Sequence, residues 1–281
     1  MEQHLQEIRE QQKNSWNKFS AGWKKWDDTM MDFLQPMGNE IIKLIEPRGD
    51  NIILDIASGT GEPGLTIASM LNGGKVVLTD LSEDMLGVAR ENADKKGVKN
   101  IETIVCDVSE LPFADGTFDA ISCRFGYMFF PDMLLATKEM FRVLKSGGRI
   151  AVSVWNVPEK NFWVTAFGGT INRIMELPQP PPGAPGMFRC AKPGLMQDLF
   201  KEAGFKNTSD NEVTSILKCG TTDICWEIMT EVAAPFVSAL NKADDNMKKK
   251  IKDEVYRVIN DKYADGNVNI DASALVIYGE K

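Results

Sequence analysis

The chain opens on an amphipathic run. Trp16, Phe19, Trp23, Trp26, Met30, Phe33 and Leu34 recur at steps of three and four, so they share one helical face. The pattern predicts helix from residue 1 to about 35, with a bend at Gly22. From residue 51 the period changes. Short apolar runs at 51–56, 75–80, 101–106, 118–123 and 149–155 read as strands, and helical stretches at about 62–71, 83–95 and 132–144 lie between them. Strands this apolar suit a sheet covered on both faces. Ser82 followed by Glu83 and Asp84 marks a helix start. The basic, glycine-containing stretch 145–148 marks a helix stop. Strands alternating with helices predict an α/β fold, a doubly wound parallel sheet with helices on both faces.

After residue 157 the rhythm breaks. A helix-like piece at 162–177 runs into PQPPPGAPG, read as a stiff surface connection, with a polyproline ligand as the alternative. A helix ending at Gly204, a sixth strand at 205–217, a helical stretch at 221–262 and a short last strand at 274–278 complete the chain. Lys248, Lys249 and Lys250 read as a solvated face of that stretch. The organisation expected is a helical cap or lid at 1–45, a sheet core at 46–157, an insertion at 158–190, and a second half of the sheet at 191–281 that carries 221–262. Ligands of open α/β sheets sit beyond the carboxyl ends of the strands, so the cap and the insertions are expected to shape a pocket there.

Composition narrows the partners. Formal charge is 32 − 40 = −8 over 281 residues, which disfavours nonspecific nucleic-acid binding. The N-terminal MEQHLQEIREQQK has no apolar core and does not read as a secretory signal. No apolar run approaches the roughly 20 residues needed to cross a bilayer. Asp27, Asp28 and Asp32 flank the aromatic face where a membrane-surface helix would carry basic residues. Five cysteines without close pairing suggest a reducing compartment and a cytoplasmic protein. No metal is expected, because the single histidine is His4 and no cluster has ligand spacing.

The chemistry concentrates in LDIASGTGEPG at 54–64. A strand breaks into glycines and a helix follows, with Pro63 in what would be its first turn; such a helix N-terminus suits an anionic group. Gly59, Gly61 and Gly64 satisfy G-x-G-x-x-G, and Asp80 stands about 20 residues on, so the literal reading is an NAD site. Asp55 inside the strand and Asp107 at the end of the third strand point elsewhere.

With TDLSEDML at 79–86, CDVSELPFADGTFDAI at 106–121, CRFGYMFFPD at 123–132 and EMFRVLKSGGRI at 139–150, this stretch resembles the class I S-adenosylmethionine (SAM) methyltransferases. Within them it is most similar to the branch of ubiquinone and menaquinone biosynthesis methyltransferases. The resemblance covers about residues 50–155, and ALVIYG at 274–279 matches the closing strand. It implies a Rossmann-like sheet of seven strands, the last antiparallel, with SAM as cofactor. It implies that the turn of Ala57, Gly59 and Gly61 passes under the amino-acid end of SAM, and that Asp55 helps hold its amino group, partly through water. Asp80 would take the ribose hydroxyls, Leu81 and Met85 would lie against adenine, Asp107 would take the adenine amino group, and Val108 would lie beside the ring. Arg124 and Phe125 would line the methionine end. Asp80 and Asp107 also have an ordinary reading as strand-end caps.

Methyl transfer from a sulfonium needs alignment and a dry site more than covalent help from the protein. Tyr127 is the candidate polar group near the methyl. His4 reads as a solvated residue, or as a base if the N-terminal helix folds over the site. Trp16, Phe19, Trp23, Tyr127 and Trp155 are the expected substrate pocket. The function expected is transfer of a methyl group to an O, C or N atom of a small, largely apolar molecule. A non-catalytic SAM-binding protein and an NAD-dependent oxidoreductase are the alternatives. Oligomeric state is not legible.

Overall fold

The structure, a computed structural model, describes residues 2–178, 181 and 183–281, with side chains from residue 6 onward. Seven strands form one sheet: β1 Ile52–Ile56, β2 Lys75–Asp80, β3 Ile101–Val105, β4 Phe118–Arg124, β5 Leu144–Trp155, β6 Lys206–Gly220 and β7 Val268–Glu280. Their spatial order is 3-2-1-4-5-7-6, and β7 runs antiparallel to both β5 and β6. The helices among the described residues are α1 Glu2–Lys25, α2 Asp27–Ile45, α3 Gly64–Met70, α4 Glu83–Lys96, α5 Met133–Val143, α6 Thr170–Met175, α7 Leu195–Ala203, α8 Thr222–Val232, α9 Ala234–Leu240 and α10 Asp245–Lys262.

Two apolar cores flank the sheet, and strand parity distributes side chains between them. Leu54 and Ile56 face one core, with Ile121, Val152 and Val154 from neighbouring strands. Ile53, Val76, Leu78, Ala120 and Ala151 face the other, under α3 and α4. Both faces are therefore covered, which is why the central strands read as continuous apolar runs. The parallel strands β1 to β5 deliver their carboxyl ends to one edge, and the switch between β1 and β4 opens a crevice there.

The N-terminal region differs from the single bent helix expected. α1 runs through Gly22 to Lys25, a turn follows at Trp26, and α2 continues to Ile45 with Pro36 inside it. Gly22 is instead a crossing point. A Cβ there would run into the backbone carbonyl of Glu231 on α8. Lys25 Nζ donates to Glu231 Oε1 at 2.9 Å and the Trp26 indole N–H donates to Oε2 at 2.8 Å. On the other side, the Ser82 hydroxyl, which caps α4 at Met85 N, donates to Asn17 Oδ1 at 2.6 Å. α2 buries Met30, Phe33, Leu34, Met37, Ile41 and Ile45 and belongs to the core.

Other boundaries move for local reasons. β7 begins six residues before the expected strand, since Val268, Ile270, Ala272 and Ala274 are buried while Asn269 and Asp271 alternate with them. β5 starts at Leu144, which pairs with Phe118 across a bulge. Pro63 is the N-cap of α3 and lies just outside its first turn. Residues 162–177 divide into a π-helical turn, Val164–Gly169, and α6. In the proline run, Gln179, Pro180 and Pro182 lie outside the described residues. Among the described residues no helix is long and apolar enough to cross a membrane.

The α1–α8 crossing leaves no room for a methyl group. Gly22→Ala is expected to lower the free energy of unfolding by about 1–3 kcal/mol through overpacking. Urea titration of the two proteins measures it, and an unchanged midpoint would show that the helices separate freely.

Candidate active site

A cavity of about 220 Å³ lies at the carboxyl edge of the sheet. The turn after β1 forms its floor. Ser58 N donates to Thr79 O at 3.0 Å, which draws the turn against β2. Ala57 and Gly59 both take left-handed backbone, with φ of 51° and 53°. A Cβ at Gly59 would meet no protein atom within 4 Å, so it would project into space left for a ligand. Gly61 is different. It does not line the cavity, and a Cβ there would press on the Leu65 side chain at 2.8 Å.

The three acids take distinct positions. Asp80 lines the cavity, accepting from Gly59 N through Oδ2 and from Ser82 N through Oδ1, each at 2.9 Å. Burial raises its carboxyl above the ordinary range, and these backbone donors oppose the rise. Each oxygen keeps acceptor capacity for a further donor. Asp107 also lines the cavity. Its Oδ1 accepts from Ser109 N at 2.7 Å, and Arg9 Nε of α1 lies 2.6 Å from Oδ2. That second contact is charge against charge, because the Arg9 N–H is not aligned for a hydrogen bond.

Asp55 departs from its expected place. Parity puts it on the Ile53 face of β1, under the start of α3, and it does not line the cavity. Its carboxylate accepts from Ser122 Oγ at 2.6 Å and Gly64 N at 3.2 Å. Burial pushes its carboxyl up to about 7.

At the far end the walls are aromatic. Phe125, at a φ of 60°, stacks on Trp155 with centroids 4.1 Å apart. Phe33 stacks on Trp155 at 6.1 Å, and Trp163 meets it edge-on at 5.1 Å. Arg124 lines the cavity beside them. Burial lowers its affinity for its proton, while Glu62, Asp55 and Asp27 act the other way through space.

Leu81, Met85, Val108 and Ala57 line the cavity, as do Trp16, Trp23 and Trp155. Two expected pocket residues do not. Phe19 is buried beside Trp16, outside the lining. Tyr127 points away into the core and its hydroxyl is hydrogen-bonded to Thr137 Oγ1 of α5, so it presents no polar atom to the cavity. The side chain of His4 lies outside the described residues. Sequence reasoning passed over Thr60 and Glu62 in the turn, Gln12 on α1, and Ile228, Met229 and Val232 on α8, all of which line the cavity. The spacing of Cys225, Ile228, Met229 and Val232 marks a buried face of α8, which the reading of 221–262 as an insertion did not resolve.

The fold and this edge define a class I SAM-dependent methyltransferase: a glycine turn after β1, an acid ending β2, an acid just beyond β3 and an antiparallel β7. A model of the ubiE/COQ5 methyltransferase family matches residues 22–177, and the chain belongs to that family. The demethylmenaquinone methyltransferase of Listeria monocytogenes is 31% identical over 182 residues, which cover 59% of this chain and 74% of that protein. The YcgJ protein of Bacillus subtilis shares the fold, with a TM-score of 0.58, 22% identity, and 87% and 97% of the two chains covered. So does phosphoethanolamine N-methyltransferase 2 of Haemonchus contortus, solved with S-adenosylhomocysteine (SAH), with a TM-score of 0.52, 19% identity, and 87% and 52% covered. The cofactor is SAM, and the nicotinamide reading of the three glycines falls with the family assignment. The cradle fits it: Gly59 leaves open space, the buried Ser58 hydroxyl has no partner among the described residues, and Asp80 retains acceptor capacity.

Asp80→Ala is expected to weaken SAM binding by about 2–4 kcal/mol, since two ribose hydroxyls lose a charged acceptor. Calorimetry measures it, and an unchanged dissociation constant would show that the ribose is held elsewhere. Asp55 predicts a pH effect on stability. Its carboxyl titrates near 7 when folded and near about 4 when unfolded, so its contribution is full below pH ~4 and is lost as pH rises through about 7. Relative to Asp55→Asn, the cofactor-free protein is expected to lose on the order of a few kcal/mol across that window. Parallel stability curves in urea at pH 4 to 8 would refute it.

Proposed function

We propose that the chain methylates an O, C or N atom of a small, largely apolar ring compound. The observation that carries this is the aromatic wall of Phe33, Phe125, Trp155 and Trp163 at the end of the cavity opposite Asp107. Flat aromatic faces favour a flat apolar partner. The Listeria relative is named for demethylmenaquinone, a compound of this kind.

The cofactor supplies a methyl group on a positively charged sulfur. Asp80 and Asp107 would hold its nucleoside, and the rings of Phe125 and Trp155 would tolerate the positive charge through their π faces. Bound there, the cofactor would offer that methyl to an electron pair of the acceptor, a lone pair on O or N or a π pair at carbon, with the neutral thioether as leaving group. Any acceptor proton leaves to water. The apolar walls exclude other nucleophiles and keep the acceptor in line. An acceptor that ionises by itself needs no general base, which suits a Tyr127 hydroxyl committed to Thr137.

α1 is assigned as the lid. It brings Arg9, Gln12, Trp16 and Trp23 over the cavity, and its polar outer face keeps it compatible with water when raised. A cytoplasmic setting is supported by five free cysteines.

The test is SAH formation against a panel: short-tailed naphthoquinols and phenols as apolar acceptors, phosphoethanolamine as a polar one. Turnover is expected with the first group. Trp155→Ala is expected to raise KM for the best acceptor roughly tenfold, with the dissociation constant for SAH changed less than about threefold. Turnover of the polar acceptor alone would overturn the reading.

A further inference from the structure

The sheet has two edges. β3 is one, and at five residues it is short. β6 is the other, and it runs for fifteen. Its ladder with β7 is regular from Ser209 to Lys218, with a register shift beyond each end. That segment contains no proline and no glycine, and among the described residues no strand pairs with its outer row of N–H and C=O groups. Asp210, Glu212, Thr214, Ile216 and Lys218 alternate onto one face and are exposed, Ile216 at 48%. A long, open edge of this kind is a template for another strand.

We infer that β6 pairs antiparallel with β6 of a second copy of the chain, about a two-fold axis at Thr214, so that the two sheets join into one. A two-fold axis normal to a sheet keeps each side chain on its own face. Paired residues then share parity, and the axis passes through a residue. Charge selects which one. With the axis at Thr214, Asp210 lies opposite the partner's Lys218, and the symmetry makes that pair twice. Asp210 Oδ1 accepts from Gln197 Nε2 at 2.8 Å, which leaves the other oxygen for the lysine. An axis at Glu212 would set Lys218 against the partner's Lys206, and one at Val213 would bring no opposite charges together. An axis at Ser215 would set Lys218 against the partner's Glu212, a carboxylate that Lys160 and Ser273 already hold, over a shorter overlap. The overlap about Thr214, 210–218, falls wholly inside the regular ladder and adds about 8–10 backbone hydrogen bonds. It also closes the edge in both copies at once. β6 is a wall of the cavity as well, since Leu217 lines it and Ser215 Oγ donates to Phe33 O at 2.5 Å. The inference is independent of the cofactor and of the acceptor.

The test is the mass of the full chain in solution, read by sedimentation velocity from about 1 to 100 µM, because a dimer's population depends on concentration. The wild type is expected to sediment at twice the monomer mass. Asp210→Lys sets two pairs of like charges in contact and is expected to raise the dimer dissociation constant about tenfold or more. Lys218→Asp is expected to do the same from the other side. Combining Asp210→Lys with Lys218→Asp exchanges the signs and is expected to bring the constant back to within about threefold of the wild type. Both positions are exposed, so the circular dichroism of all three variants is expected to match the wild type. A wild type that stays monomeric at the highest concentration would overturn the inference and leave the edge to a different chain or to water. A dimer indifferent to both single variants would overturn it by placing the contact elsewhere. Weakening by the single variants without recovery in the combined one would overturn the axis at Thr214.

Discussion

The hydrogen bond from Gly59 N to Asp80 Oδ2 ties the end of β1 to the end of β2, and the site depends on it. The bond requires the turn after β1 to pass close over β2, which left-handed backbone at Ala57 and Gly59 permits. It also orients a carboxylate whose proton affinity burial raises, and opposes that rise. Asp80 is thereby set beside an open floor with acceptor capacity remaining. A sheet with a switch point supplies the crevice; this bond turns the crevice into a site with a polar end.

The same low-dielectric setting explains how charges are distributed around the cavity. Asp80 has backbone donors, Asp107 has Ser109 N and the Arg9 side chain, and Asp55 has Ser122 and Gly64. Among the described residues Arg124 has no carboxylate within salt-bridge distance, and its guanidinium donates to the Met31 sulfur. The aromatic end carries no comparable demand. Phe125, Trp155 and Phe33 satisfy one another by stacking and leave a flat apolar surface.

α1 belongs to the site as much as to the fold. Its docking rests on Asn17 to Ser82 at one side and on the crossing with α8 at the other, and between them it lays Trp16, Trp23 and Arg9 over the cavity. The Arg9–Asp107 pair ties this helix to the acid just beyond β3.

Periodicity alone determined the alternation of strands and helices in residues 51–155, because a parallel sheet buried on both faces writes itself as apolar runs separated by helical stretches. The acids Asp80 and Asp107 were legible from their spacing to the glycines, and the resemblance carried the family. What the sequence could not show was the side a residue faces at a strand end. Asp55 and Tyr127 sit in motif stretches, yet parity turns one toward α3 and the contact with Thr137 turns the other into the core. Gly22 read as a bend because sequence carries no record of what crosses it, and only tertiary packing brings Glu231 there, more than 200 residues on. The α8 wall was hidden for the same reason: a helical period announces a buried face, and the fold alone decides whether that face meets a core or a ligand.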